Sequence, residues 1–442
     1  MSMTKCRNNL PLLAALLGCV AAVQAQVPTA PSAPSATAPT ALHLGPATCA
    51  SSVCHGRANQ IEGTQVMQNE YRVWTREDAH SRAYNTLLNE RSKAIAQRLG
   101  LSDAASAKVC LDCHADHVPE AARGEQFQLS DGVGCEACHG GAGEWIKSHA
   151  ERDVAHADNI AKGLARTEDP AVRAQLCLSC HYGAAEKFAG HELMAAGHPR
   201  LSFELATYTA NQPAHYQVDA DYLQRKGNRA NASIWAQGLI ASVRAQLTLI
   251  QSARFGGNGV FPELAFFDCH ACHHPMNELR WSPLPLHQGL APGAIRLNDG
   301  NLALLVALAE TLSPVRGAAI ERAGNALHRA SQQDLAAVRG KAAALQSELD
   351  SLQTEVAART FAEADLRQLR SLLLSRATVG RFADFVAAEQ AFLAVETLSL
   401  ELGDEAKLRK RLNRWFNTVE NENHFDRHQF ANQAGQLAAA LK

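Results

Sequence analysis

The sequence predicts a mainly α-helical protein with little regular sheet: a Cys/His-rich part followed by a C-terminal antiparallel helical segment. Three observations carry that expectation. Between residues 43 and 290, ten cysteines fall in five pairs, each pair followed directly by histidine. Within the same region, stretches 68–99 and 232–254 look helical, and in the second Ile234, Leu239, Val243, Leu247 and Ile250 fall at helical spacing. From Asn298-Asp299-Gly300 onward there is no cysteine, and the chain becomes rich in Ala and Leu.

Residues 1–25 have the form of a secretory signal. Lys5 and Arg7 precede a short apolar run, Leu10 to Leu17, and Val23-Gln24-Ala25 offers a small-residue cleavage site. A second cut is visible at Leu16-Leu17-Gly18-Cys19, which resembles a lipobox and would leave Cys19 as a lipid anchor. On either cut the expected location is the periplasm, with the membrane touched only through that anchor. Residues 26–42 form a Pro/Ala/Ser/Thr-rich linker. No other stretch approaches the roughly 20 apolar residues that a membrane span needs.

The chain carries 42 basic and 44 acidic residues, and nothing in it resembles a basic nucleic-acid surface. The expected partners are therefore neither DNA nor RNA.

The cysteine pairs fix the chemistry. They are Cys49-x4-Cys54-His55, Cys110-x2-Cys113-His114, Cys135-x2-Cys138-His139, Cys177-x2-Cys180-His181 and Cys269-x2-Cys272-His273. Four are C-x-x-C-H, the attachment signature of c-type haem. Two thiols must reach the two vinyl groups of one porphyrin, and the next residue must place an imidazole under the iron. Structural zinc does not require histidine after every second cysteine, and neither disulfides nor redox dithiols do. The wide first motif reads as an atypical haem site whose spacer loops out, the alternative being a Cys49–Cys54 disulfide beside a spare histidine. The expectation is five covalently bound haem c groups in a domain at 43–290, followed by a helical domain at 291–442. Ten propionates and five ferric centres would take the mature chain to a net charge of roughly −9.

Electron carriers usually saturate the iron with two strong ligands, whereas a catalytic haem leaves one position open. Five of the 19 histidines are proximal and His328, His424 and His428 lie near the C-terminus. Eleven remain in the haem region: His43, His80, His117, His149, His156, His191, His198, His215, His270, His274 and His287. Methionine is scarce there (Met67, Met194 and Met276), so mostly bis-His ligation is expected. His117 and His274 sit too near their own proximal histidine to cap the same iron, and His270 is a spacer residue. His80, His149 and His198 are the leading distal candidates. The histidine before Pro199 is biased towards an extended loop.

The runs GVGCEACHGGAGEWIKSH and HELMAAGHPRLSFEL, with Trp74-x5-His80, resemble the multihaem cytochrome c-554-like family. The resemblance spans about residues 45–290 and none of the last 150. It implies His80, His149 and His198 as axial ligands and draws attention to His191 and to His215 in QPAHY. It also implies a mainly helical fold with haems stacked in parallel and perpendicular pairs. The fifth motif, the wide first motif and the C-terminal segment depart from the family pattern.

In the C-terminal part Val338, Ala342, Leu345, Leu349, Leu352 and Val356 follow a 4-3 repeat. Further apolar periodicity runs from Phe361 to Leu374 and from Phe382 to Leu400. Two or three antiparallel helices are expected, with Asn298 or Asp299 as the first N-cap. A docking or dimerisation arm is the alternative use of that stripe, and Lys407, Arg409, Lys410, Arg411 and Arg414 read as a solvated helix face. The expected function is electron transfer between redox proteins, a quinol-oxidising membrane cytochrome or a terminal reductase among them. An oxidoreductase with one open haem acting on a small nitrogen or sulfur compound is the alternative, although no C-x-x-C-K motif appears. A filament in which one copy ligates its neighbour's iron is a third reading.

Overall fold

The computed structural model describes residues 41–62, 66–227, 230–256, 262–273 and 284–441. The signal segment, the linker up to residue 40, His274 and Met276 lie outside the described residues. Among the described residues there are nineteen α-helices and no strand, only isolated bridges that join His43 to Arg123 and Phe267 to Leu297. No helix among them is long and apolar enough to cross a membrane.

Before residue 231 the helices are short, the longest being Pro170–His181. The stretch 68–99 is not one helix. Asp78 has an extended backbone that ends Glu70–Glu77, and its carboxylate caps the next turn, Ala79–Arg82, by accepting from the His80 backbone N–H. Helices Ala83–Thr86 and Glu90–Arg98 follow. This half has one small apolar cluster of its own, with Leu87, Ala96, Ala104, Leu111 and Ala115 at its centre.

Helix Asn231–Gln251 is different in kind. Ile234, Trp235, Leu239, Ile240, Val243, Leu247 and Ile250 are all buried, so apolar residues lie on several sides of it. A helix hydrophobic all round must be covered all round. It packs on Pro170–His181 and Leu205–Asn211 on the motif side, and on Leu335–Ala358 and Gly300–Leu312 beyond.

The C-terminal part holds seven α-helices rather than two or three: Gly300–Leu312, Pro314–Ala330, Leu335–Ala358, Glu363–Thr378, Phe385–Glu401, Glu405–Phe416 and Arg427–Ala439. Tight turns divide it. Pro314 starts a helix with only Ser313 between it and Leu312, and Gly380 and Gly403 take positive φ between helices. The six residues of the 4-3 stripe are each 0% exposed and face the chain's own core, chiefly helix Asn231–Gln251. Lys407, Arg409, Lys410, Arg411 and Arg414 are exposed on helix Glu405–Phe416, while Leu408, Leu412 and Trp415 on its other face are buried. One apolar cluster runs from Ala174 and Leu178 through the 231–251 helix to Leu437, so the change of composition near residue 290 is not a break in packing.

Candidate haem sites

The motifs share one local geometry. In helices Lys108–His114, Cys135–His139 and Pro170–His181, the two cysteines and the histidine occupy positions i, i+3 and i+4. Those positions lie on one helix face, so thiols and imidazole point the same way. In the fifth motif a 3₁₀ turn, Cys269–Ala271, does the same, and the His273 N–H donates to the Cys269 carbonyl at 2.7 Å. The wide first motif reproduces that bond: the His55 N–H donates to the Cys49 carbonyl at 3.2 Å. Its extra residues loop out, with Val53 72% exposed. The loop closes tightly on Gly56, where a Cβ would sit 1.9 Å from the Ala50 carbonyl oxygen. No disulfide joins Cys49 to Cys54 or links any of the other eight motif cysteines.

Each of the five proximal histidines faces a second histidine. Ring centroids are 6.1 Å apart for His55 and His149, 6.4 Å for His114 and His198, and 6.2 Å for His139 and His215. They are 6.2 Å apart for His181 and His80, and 6.3 Å for His273 and His191. A histidine nitrogen binds a transition metal at about 2.0–2.1 Å, and the ring centre lies about 1.1 Å further back, so two imidazoles on opposite sides of one ion have centres about 6.2–6.4 Å apart. Rings in direct contact span a wider range, about 4.5–7 Å. Here the separations stay between 6.1 and 6.4 Å while the interplanar angle runs from 13° to 90°. Coaxial ligands are free to rotate about their shared axis, and that freedom gives this pattern. The residues present therefore fit an iron held between two imidazoles.

The second nitrogen of the rings supports the same assignment. A metal-bound histidine donates its other N–H to a carbonyl or carboxylate, which fixes the ring and leaves Nε2 for the metal. His55 Nδ1 lies 3.0 Å from Glu70, and His80 Nδ1 lies 2.8 Å from Asp78. His114, His149 and His198 use the carbonyls of Ala83, Ile146 and Pro199, at 3.1, 2.6 and 2.8 Å. Hydrogen bonding to the carboxylates raises the pKa values of His55 and His80. Burial pushes His139 down to about 4 and lowers His181 and His198, which keeps those rings neutral with a lone pair to donate.

The facing residues come from distant parts of the chain. His149 follows the third motif yet faces the first, and His80 precedes the second motif yet faces the fourth. His80 is held by the turn that Asp78 caps and by its carbonyl, which accepts from the Val133 N–H at 3.0 Å. His149 packs edge-on against Trp145. His198 lies in the loop before Pro199, and His191 opens helix His191–Ala195 with its N–H on Glu263. Thiols of different motifs also touch: Cys49 meets Cys135, and Cys113 meets Cys180. The first and third motifs are neighbours, and so are the second and fourth.

The other described histidines of the haem region have other employment, except that no role emerges for His156 beyond its 3.7 Å approach to Glu168. His43 is buried against Asp116 at 2.8 Å, beside Glu136, which accepts from the backbone N–H groups of Leu44, Gly45 and Ala142. His117 lies 2.6 Å from Asp112. His270 approaches Glu422 and Phe385 of the C-terminal helices. His287 joins Asp299 and His328 in the core. Sequence reasoning did not find Asp78 and Glu70 as supports, although the Asp78-Ala79-His80 spacing is the signal that a short capped turn would give.

Residues 48–140, which contain the first three motifs, match the family model described as cytochrome c554 and c-prime. No curated protein and no solved structure matches the chain.

Proposed function

We propose that this chain, a c-type cytochrome of electron transfer that resembles cytochrome c554 and holds covalently bound haem c, is a pentahaem carrier of the periplasm with mostly bis-His haems. The single observation that carries the reading is the set of five facing histidine pairs, each with a separation near that of two ligands on one iron. Cys49, Cys54, Cys110, Cys113, Cys135, Cys138, Cys177, Cys180, Cys269 and Cys272 form the thioether tethers. His55, His114, His139, His181 and His273 are the proximal ligands, and His149, His198, His215, His80 and His191 are their respective distal ligands.

Haem c so held supplies reversible one-electron iron chemistry. The chain's own contribution would be to offer each iron two imidazoles, which would leave no vacancy for a substrate. A carrier with no vacancy serves other redox proteins, here a quinol-oxidising membrane cytochrome as donor and a terminal reductase as acceptor. All five pairs lie within one copy, which favours a self-contained carrier over a filament that borrows ligands from its neighbour. The open-haem oxidoreductase would need one proximal histidine without such a facing ring.

The test is carbon monoxide added to the dithionite-reduced, fully matured protein. Five saturated irons predict no shift of the Soret band, and a shift equal to one haem would transfer the chain to the enzyme reading. Cell fractionation of wild type and Cys19→Ser tests the periplasmic location and the anchor together.

A further inference from the structure

A buried cluster of two histidines and one aspartate lies away from the cysteine motifs. His287 ends the turn Pro285–His287, Asp299 stands immediately before helix Gly300–Leu312, and His328 lies on helix Pro314–Ala330. All three are buried, at 5%, 8% and 1% exposure. Both Nε2 atoms converge on one carboxylate oxygen, Asp299 Oδ2, at 2.8 Å from His287 and 3.1 Å from His328. The ring centroids are 4.8 Å apart and nearly perpendicular, at 83°.

The ruler used for the haem ligands applies again at a different angle. Donors about 2.1 Å from one ion and at right angles to each other lie about 3.0 Å apart. Imidazole centres on such an ion lie about 4.5 Å apart at right angles and about 5.2 Å apart at a tetrahedral angle. The observed 2.8, 3.1 and 4.8 Å fall on the three sides of such a corner. Two histidines and one carboxylate on one face of an ion, with the opposite face open, is a recognised ligand set for divalent first-row metals.

Hydrogen bonding alone would also bring these atoms together, so the surroundings decide. Asp299 occupies the N-cap position, yet its side chain caps nothing and turns to the two rings instead. At that position a carboxylate would ordinarily satisfy an exposed helix N–H. Arg296, three residues before it in sequence, is committed to Asp268 at 2.5 Å. Among the described residues no lysine or arginine pairs with Asp299. Both Nδ1 atoms are buried and have no protein partner, so the hydrogen bonds that orient the two rings run through Nε2 alone, and Nδ1 lacks the protein partner that the haem-facing rings of His55 and His80 have. A small cavity of about 30 Å³, room for one or two waters, opens beside Asp299 and is also lined by Leu286, Glu321, Asp384, Arg376 and Arg381.

The geometry points to a site for one divalent first-row transition metal, held by His287 Nε2, His328 Nε2 and Asp299, with water from the cavity completing its shell. A dication there would meet the buried Asp299 charge, and the turn Pro285–His287, the start of helix Gly300–Leu312 and the end of helix Pro314–Ala330 would be joined through one ion. This site is independent of the haem assignment, because none of its residues belongs to a motif or to a facing pair.

The test uses the matured full-length chain, stripped with a chelator and dialysed to equilibrium against micromolar Zn²⁺, with metals counted by mass spectrometry. Wild type is expected to hold about one zinc per chain more than Asp299→Asn or His328→Ala, at unchanged haem content. The same zinc should raise the melting temperature of wild type and leave both variants where they were. Equal zinc in all three proteins, or none retained by wild type, overturns the proposal. If one variant fails to mature its haems, the other variant and the wild-type zinc count still decide.

Discussion

Asp78 shows how much one side chain can set at the residue scale. It is 4% exposed, accepts from His80 Nδ1 at 2.8 Å and from Gln212 Nε2 at 3.0 Å, and caps the turn that carries His80. A carboxylate partner pushes electron density into an imidazole, which favours ferric over ferrous iron and lowers the potential. Glu70 plays the same part for His55, but its side chain is 31% exposed and solvent weakens its field. Asp78→Asn is therefore expected to raise one of the haem potentials by something on the order of tens of millivolts, and Glu70→Gln to raise another by less. Spectroelectrochemical titration measures both, and five unmoved potentials in Asp78→Asn would refute the tuning role. Replacing a distal ligand is harsher. His149→Ala should convert one haem to a high-spin form that binds added imidazole, leaving the remainder unaltered. The histidines that face the motif histidines are ones the sequence offered, His80, His149 and His198 as candidates from their surroundings and His191 and His215 through a family resemblance. Their pairing was not legible there, because a ligand's partner is fixed by where the chain returns in space.

At the scale of elements, helix Leu335–Ala358 carries the clearest load. Its six stripe residues are 0% exposed, and large-to-small changes at such positions remove transfer energy and leave a cavity. Leu345→Ala should cost about 2–5 kcal/mol and lower the melting temperature with no change in the haem spectrum. Arg370 makes a different kind of contact. It is 3% exposed and forms a two-pronged pair with Asp404 at 2.6 and 2.8 Å, between helices Glu363–Thr378 and Glu405–Phe416. Arg370→Ala strands that carboxylate, at a cost of about 3 kcal/mol, the lower end for a buried pair because Asp404 keeps some solvent contact. Denaturant unfolding checks both values. The stripe itself was readable from its 4-3 period, as were the helices near 361–374 and 382–400. Their ends were not, since an apolar phase can persist across a turn as short as Ser313-Pro314. Asp299 was legible as an N-cap by position, whereas the turning of its carboxylate to His287 and His328 depends on helices that meet only in the folded chain.

At the scale of the whole molecule, the proposed ligation would tie the region of the cysteine motifs together through ligand pairs more than through a core. Its own apolar cluster is small, and His149 faces the histidine of the first motif while His80 faces that of the fourth. Without haem those long connections have nothing to close on, so the cost of ordering them is not offset. Near-continuous packing through helix Asn231–Gln251 then joins this region to the C-terminal helices. The mainly helical class was legible from composition and period. The shared core was not, because the loss of cysteine near residue 290 marks a change in what fills the interior rather than an end to the interior. The central claim is that five irons are held, each between two histidines of one chain. Low-temperature electron paramagnetic resonance of the oxidised protein, with haem per chain counted in parallel, tests it most directly. The account predicts five haems per chain and only low-spin ferric signals, whereas fewer haems, or a high-spin signal of about one haem that shifts with a small anion, would contradict it.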